Sequence, residues 1–138
     1  MMRNAELFKG YLDKNNLYAD TWSEGEKTFF QFQQKLKSGP AGRLLVIFGG
    51  DTLVSVYALD YVSLSNTARK DYMYRVLNDL NMKYTYHKFL LDQDNNIMTS
   101  SFIPFSNNFS EEVVMELLFG SLNVMEEEYA TLMKAMWS

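Results

Sequence analysis

Three polar residues set two apart, Asp92, Asp94 and Asn96 in the stretch LLDQDNNIM, begin the way an EF-hand calcium loop begins. Such a loop also needs Gly at its sixth position and a bidentate Glu at its twelfth. Here those positions hold Ile97 and Ile103, and the flanking segments read as strands rather than helices. Asp and Asn favour turns, because their side chains bond nearby backbone and tolerate left-handed φ. The stretch therefore predicts a hairpin turn and no metal site.

The other chemistry-bearing residues fare no better. His87 is the only histidine, which excludes histidine clusters, and the sequence nominates no nucleophile or orienting partner for it as a general base. A packed or rim histidine is expected. The FGGDT stretch at 48–52 lacks the glycine spacing and following helix of a phosphate-binding loop. Glu126, Glu127 and Glu128 form a charge run of the kind that usually makes a solvated helix face. With no cysteine, thiol catalysis, thiolate metal sites and disulfides are all excluded. The expectation is a non-enzyme without catalytic residues, metal ligands or cofactor.

The elements that position these residues follow from periodicity. Leu7, Phe8, Tyr11 and Leu12 predict a short first helix, while residues 16–27 read as polar and irregular around Trp22. Phe30, Phe32 and Leu36 alternate with Gln31, Gln33 and Lys35, as in a half-buried strand. RLLVIF and TLVSVYAL predict two more strands joined by a Gly-Gly-Asp turn, so residues 28–60 form an antiparallel three-stranded meander. From Ala68 to Met82 the period becomes helical, with Ser65, Asn66 and Thr67 as candidate caps. KYTYHKFLL and NIMTSSFIP give two strands, Pro104 ending the second. Ser110, Glu111 and Glu112 start a last helix whose apolar stripe runs from Val114 to Met136. The fold class predicted is α+β, a single domain over residues 1–138 with the order αβββαββα, a five-stranded antiparallel sheet and three helices.

Composition narrows the partners. A net charge of −4 argues against a nucleic-acid partner, which calls for a basic footprint. The longest apolar runs fall far short of a membrane span, and the first residues lack a signal-peptide apolar stretch. Together with the missing cysteines, this points to a cytoplasmic protein. An aromatic share of 15% supplies a core rich in large side chains.

Residues 76 to 136 carry a resemblance. A helix ends in Leu77-Asn78 near Asn81, a strand holds Tyr86 to Phe89, an acidic turn spans Asp92 to Asn96, and a long helix carries a late aromatic, Tyr129. This order resembles the YbjN family, bacterial proteins associated with sensory transduction regulation. That family is similar in fold to the type III secretion chaperones, small acidic proteins that commonly dimerise and bind extended segments of secreted clients. The resemblance implies a non-catalytic protein-binding module, a regulator or chaperone-like protein, with no catalytic residues to carry over. The sequence departs from the family at Asn95-Asn96, where Gly is more usual, and at Gly120, which leaves room for a bend in the long helix.

Two sets of residues are candidates for partner contact. Tyr57, Tyr84, Tyr86 and Phe102 are aromatics of the kind that line ligand sites, which keeps open a small-molecule sensor or an enzyme with an aromatic-lined pocket. Leu132, Met133, Met136 and Trp137 close the last helix. At 1.5 Å per residue that helix would be about 40 Å long and would carry its end past the sheet, an exposed patch that a homodimer would bury. The opposing arrangement bends at Gly120 and folds the tail onto the first helix. A second ambiguity concerns the sheet. RLLVIF and TLVSVYAL are apolar on both faces, so either helices cover both, or part of one face awaits a partner.

Overall fold

The computed structural model describes residues 1–137. It is a mixed α+β fold with helices α1 (Arg3–Lys14), α2 (Lys70–Lys83) and α3 (Glu111–Trp137) on one antiparallel sheet. The strands are β1 (Asp20–Glu24), β2 (Lys27–Lys35), β3 (Ala41–Gly49), β4 (Leu53–Ser63), β5 (Lys88–Leu91) and β6 (Asn96–Pro104), in the spatial order β1-β2-β3-β4-β6-β5. The sheet thus has six strands where the sequence predicts five. The additional one, β1, is an edge strand with four of five residues exposed, so it shows no alternation of polar and apolar positions. It is fixed by its pairing with β2 and by Trp22, whose ring stacks on Phe29 at 5.1 Å between centroids.

The turns form as their residues dictate. Gly50 sits at φ 77° between β3 and β4, a conformation that glycine adopts without a Cβ penalty. The Asp92–Asn96 stretch is the expected hairpin turn. The Asn95 N–H donates to the Asp92 carbonyl at 3.1 Å, and one Asp92 carboxylate oxygen accepts from the Asp94 and Asn96 N–H groups at 2.9 Å each. Asn95 takes the left-handed position at φ 63°.

All three helices bury their apolar sides against the same face of the sheet. Phe8 of α1 lies edge-on to Phe30 at 5.0 Å and 5.4 Å from Phe48. Met73, Leu77 and Leu80 of α2 join Val114, Leu118, Met125 and Leu132 of α3 in one core with Val46, Val54, Val56 and Phe89. Ser110 caps α3 through the Val113 N–H at 3.3 Å, as its sequence start predicts. α3 runs unbroken through Gly120, whose missing side chain admits His87: a Cβ there would stand 2.4 Å from the imidazole Cε1. The packed histidine expected at 87 is found, its Nε2 bonding the Leu117 carbonyl at 2.9 Å.

The end of α3 differs from both arrangements the sequence left open. Leu132 and Met136 are buried at 0% and 3% exposure, Met133 is half-buried, and only Trp137 is largely exposed. β4 explains this. It continues through a bulge between Ala58 and Val62 to Ser63, so the sheet is long enough to support the whole helix. The connection after it wraps the helix end, where Arg69 donates to the Ala135 carbonyl at 3.0 and 3.2 Å and Ser65 reaches the Met136 sulfur. The four-residue tail patch on which the dimer expectation rested is therefore core at Leu132 and Met136.

Candidate functional site

The uncovered face of the sheet has a register that can be traced residue by residue. One row runs Trp22, Phe29, Ile47, Ser55, Phe102 across five strands. The next runs Asp20, Gln31, Leu45, Tyr57, Ser100, Lys88 across all six. Because side chains alternate between faces, these residues point away from the helices, except that Lys88 bends back to the end of α2, where its Nζ donates to the Asn81 and Tyr84 carbonyls at 2.7 and 2.5 Å. None of the row's large apolar groups belongs to the buried core. Trp22 and Phe102 are 38% and 58% exposed, while Phe29, Leu45, Ile47 and Tyr57 are half-buried only by their neighbours on the sheet. The single cation near the middle, Arg43, is paired with Asp60 and bonds Gln31 at 2.9 Å. The face is thus an apolar surface that this chain's own helices leave open.

At the β5–β6 side this face turns into a pocket of about 480 Å³, lined by Tyr86, His87, Phe102, Ile103, Pro104, Val113, Glu116 and Leu117. Its walls are the end of β6, the two residues before β5 and the first turns of α3. The volume lies within the range of about 300–1,000 Å³ that small-molecule sites occupy.

Of the four candidate aromatics, the structure brings three together. Phe102 meets Tyr57 edge-on at 6.1 Å on the open face and shares the pocket wall with Tyr86. Tyr84 belongs elsewhere. It caps the end of α2 and turns its hydroxyl inward to the Glu128 carboxylate. Sequence reading missed Phe29, Leu45 and Ile47 on the face, and Val113, Glu116 and Leu117 in the pocket. A signal for the first three was present: they share strand parity with Gln31, Arg43 and Ser55, whose polarity marks a face that water reaches.

The acidic run on α3 is not the solvated face its composition suggests. Glu126 accepts the Lys37 and Ser38 N–H groups at 2.6 and 3.0 Å, fixing the β2–β3 hairpin, and Glu127 lies 3.8 Å from Lys83. Glu128 is buried, with Lys83 Nζ at 2.6 Å and the Tyr84 hydroxyl bonded to the same oxygen. Burial alone would push the Glu128 carboxyl up, but the hydrogen bonds from Lys83 and Tyr84 outweigh it and hold it below the usual carboxylate range. Burial, then the bond to Glu128, pushes the Tyr84 hydroxyl far up, and the same carboxylate raises Lys83. Every member of the cluster has its partner, with Glu128 buried and Lys83 half exposed, so it is a structural clasp between α2 and α3.

No protein-family model matches the chain, and no curated protein matches it. No helix among the described residues is long and apolar enough to cross a membrane.

Proposed function

We propose that the chain is a non-catalytic protein-binding module of the YbjN type, a bacterial, cytoplasmic regulator or chaperone-like protein that acts as a homodimer. The observation that carries this reading is the apolar sheet face left open by the helices. Strands about 4.8 Å apart and some 25 Å long make a six-stranded face on the order of 600 Å² in plan. Only part of that area is apolar, since Gln31, Arg43 and Ser55 interrupt it, but the whole face approaches the ~800 Å² each partner brings to a standard interface once side-chain relief is counted.

A second copy suits this face. Its centre holds no unpaired charge, so two copies meet without repulsion. A two-fold axis parallel to the strands would lay each β1 edge over the β5 edge of the other copy. Sheets packed this way lie about 10 Å apart with interdigitating side chains. Light scattering on the wild type and on Ile47→Lys tests it. A dimer that the variant dissociates is expected; a wild-type monomer at every concentration would reject the homodimer.

The pocket favours a second reading, a small-molecule sensor or an enzyme with an aromatic-lined site, through Tyr86 and Phe102. A thermal-shift screen of metabolites separates the two. A ligand at 100 times its dissociation constant would stabilise by about 2.7 kcal/mol and would leave a Tyr86→Ala variant unshifted.

A further inference from the structure

The pocket adjoins a strand edge with nothing paired to it. The Phe105 N–H donates to the Thr52 carbonyl at 2.7 Å, which makes Thr52 and Phe105 a hydrogen-bonded pair. Antiparallel pairs alternate, so Ile103 and Ser101 aim their backbone groups at β4, whereas Phe102 and Pro104 aim theirs to the other side. β5 covers that other side only as far as Lys88 opposite Ser100. Among the described residues, no backbone group bonds the Phe102 N–H or C=O outside the ladder. Pro104 has no N–H, so its place at the strand end costs the β4–β6 ladder nothing and leaves a carbonyl on the open edge. Beyond Ser100 the edge offers one donor and two acceptors in strand spacing, which is what an added strand pairs with.

The pocket beside this edge has a definite charge. Among the described residues, Glu116 is the only charged one that lines it, with no lysine or arginine. Tyr86 and Phe102 add two aromatic rings to the lining, and ring faces attract cations. Apolar Ile103, Pro104, Val113 and Leu117 complete the wall and suit an aliphatic stem.

From this edge and this lining we infer that the site takes an extended segment of a protein partner, which pairs with Phe102 and Pro104 as a short added strand and places a Lys or Arg side chain between the aromatic rings and Glu116. The inference rests on the protein-binding reading and names where and by what chemistry the partner is held. Carboxylate and rings would recognise the cation, and the strand edge separates a peptide from a free amine, which has no backbone to pair.

The test uses the full chain and the peptide acetyl-Thr-Val-Arg-Val-Thr-amide, with counterparts carrying norleucine or Glu in place of Arg, and butylguanidinium as the free cation. His87, the sole histidine, lines the pocket and reports occupancy through its imidazole resonances. The Arg peptide is expected to shift those resonances and to bind roughly tenfold more tightly than the norleucine peptide, the scale of one charge-assisted hydrogen bond. Glu116→Gln should erase that difference while leaving norleucine-peptide binding unchanged. Tyr86→Lys, at an exposed position, should abolish binding by supplying the cation in place. Equal binding of Arg and Glu peptides, butylguanidinium as tight as the peptide, or unshifted His87 resonances would overturn the inference. So would a peptide that splits the dimer, which would make the edge a contact between copies. Failure of the peptides with the dimer intact removes this site alone, whereas a monomer that still binds the Arg peptide removes the homodimer alone.

Discussion

The two faces of the sheet carry similar numbers of large apolar side chains and have opposite fates. On one, Phe30, Val46 and Val56 stand in a single row, each at 0% exposure beneath the helices. On the other, Phe29, Ile47 and Phe102 remain within reach of water. The difference lies in what stands beside these groups: on the covered rows of β2–β4 the one buried polar residue is Thr28, while the open rows mix in Gln31, Arg43 and Ser55. Residues of the first kind hold the fold, and those of the second are free to hold something else. Substitutions that are matched across the two faces separate these roles.

The largest effect is expected on the covered face. Phe30→Ala removes a ring that touches both Phe8 and Phe48 and should cost about 3–5 kcal/mol in denaturant unfolding. Phe29→Ala, one residue away on the open face, should cost well under half of that.

Glu128→Ala comes next, at about 2–3 kcal/mol, because it strands Lys83 and Tyr84 at the α2–α3 contact, reduced from the usual buried-pair figure by the half-exposed Lys83. The pH sign follows from the lowered carboxyl. The folded state holds Glu128 ionised below its ordinary value of 4.5, so its contribution is present above that pH and is lost as pH falls through the lower folded value. Glu128→Gln should flatten this part of the acid limb in a pH series of unfolding curves.

Gly120→Ala should destabilise by about 1–3 kcal/mol although Ala is the better helix former, since its Cβ meets the His87 ring. In the His87→Ala background the same change should be neutral or stabilising, which a double-mutant cycle reads directly. Asp92→Ala should cost about 1 kcal/mol through its two lost backbone hydrogen bonds, and Asp94→Ala close to nothing by thermal melting.

Much of this organisation was legible in the sequence. Helical stripes in 4–15, from Ala68 to Met82 and from Val114 to Met136, the caps at Asn66 and Ser110 and the Asp92 turn are local effects, and local chemistry decided them. What escaped were outcomes of tertiary pairing. β1 has no pattern of its own and exists because β2 offers an edge. Glu128 looks solvated until Lys83 and Tyr84 arrive from α2. The end of α3 looks unsupported unless β4 is known to continue past its bulge. The candidate site was half visible: Tyr57, Tyr86 and Phe102 stood out as aromatics, but their grouping with Ile47 and Glu116 depends on strand register and on where α3 begins, which no short window contains.

The open face is the centre of this account, and Ile47→Lys is its sharpest probe. The change lies in the middle of the row, on the side away from the core, so the monomer's melting temperature should move little. Light scattering across a range of protein concentrations should give the wild type a mass of about 32 kDa, twice the 16.1 kDa chain, and the variant 16.1 kDa. A wild-type mass of 16.1 kDa at every concentration, or a variant dimer as stable as the wild type, would contradict it.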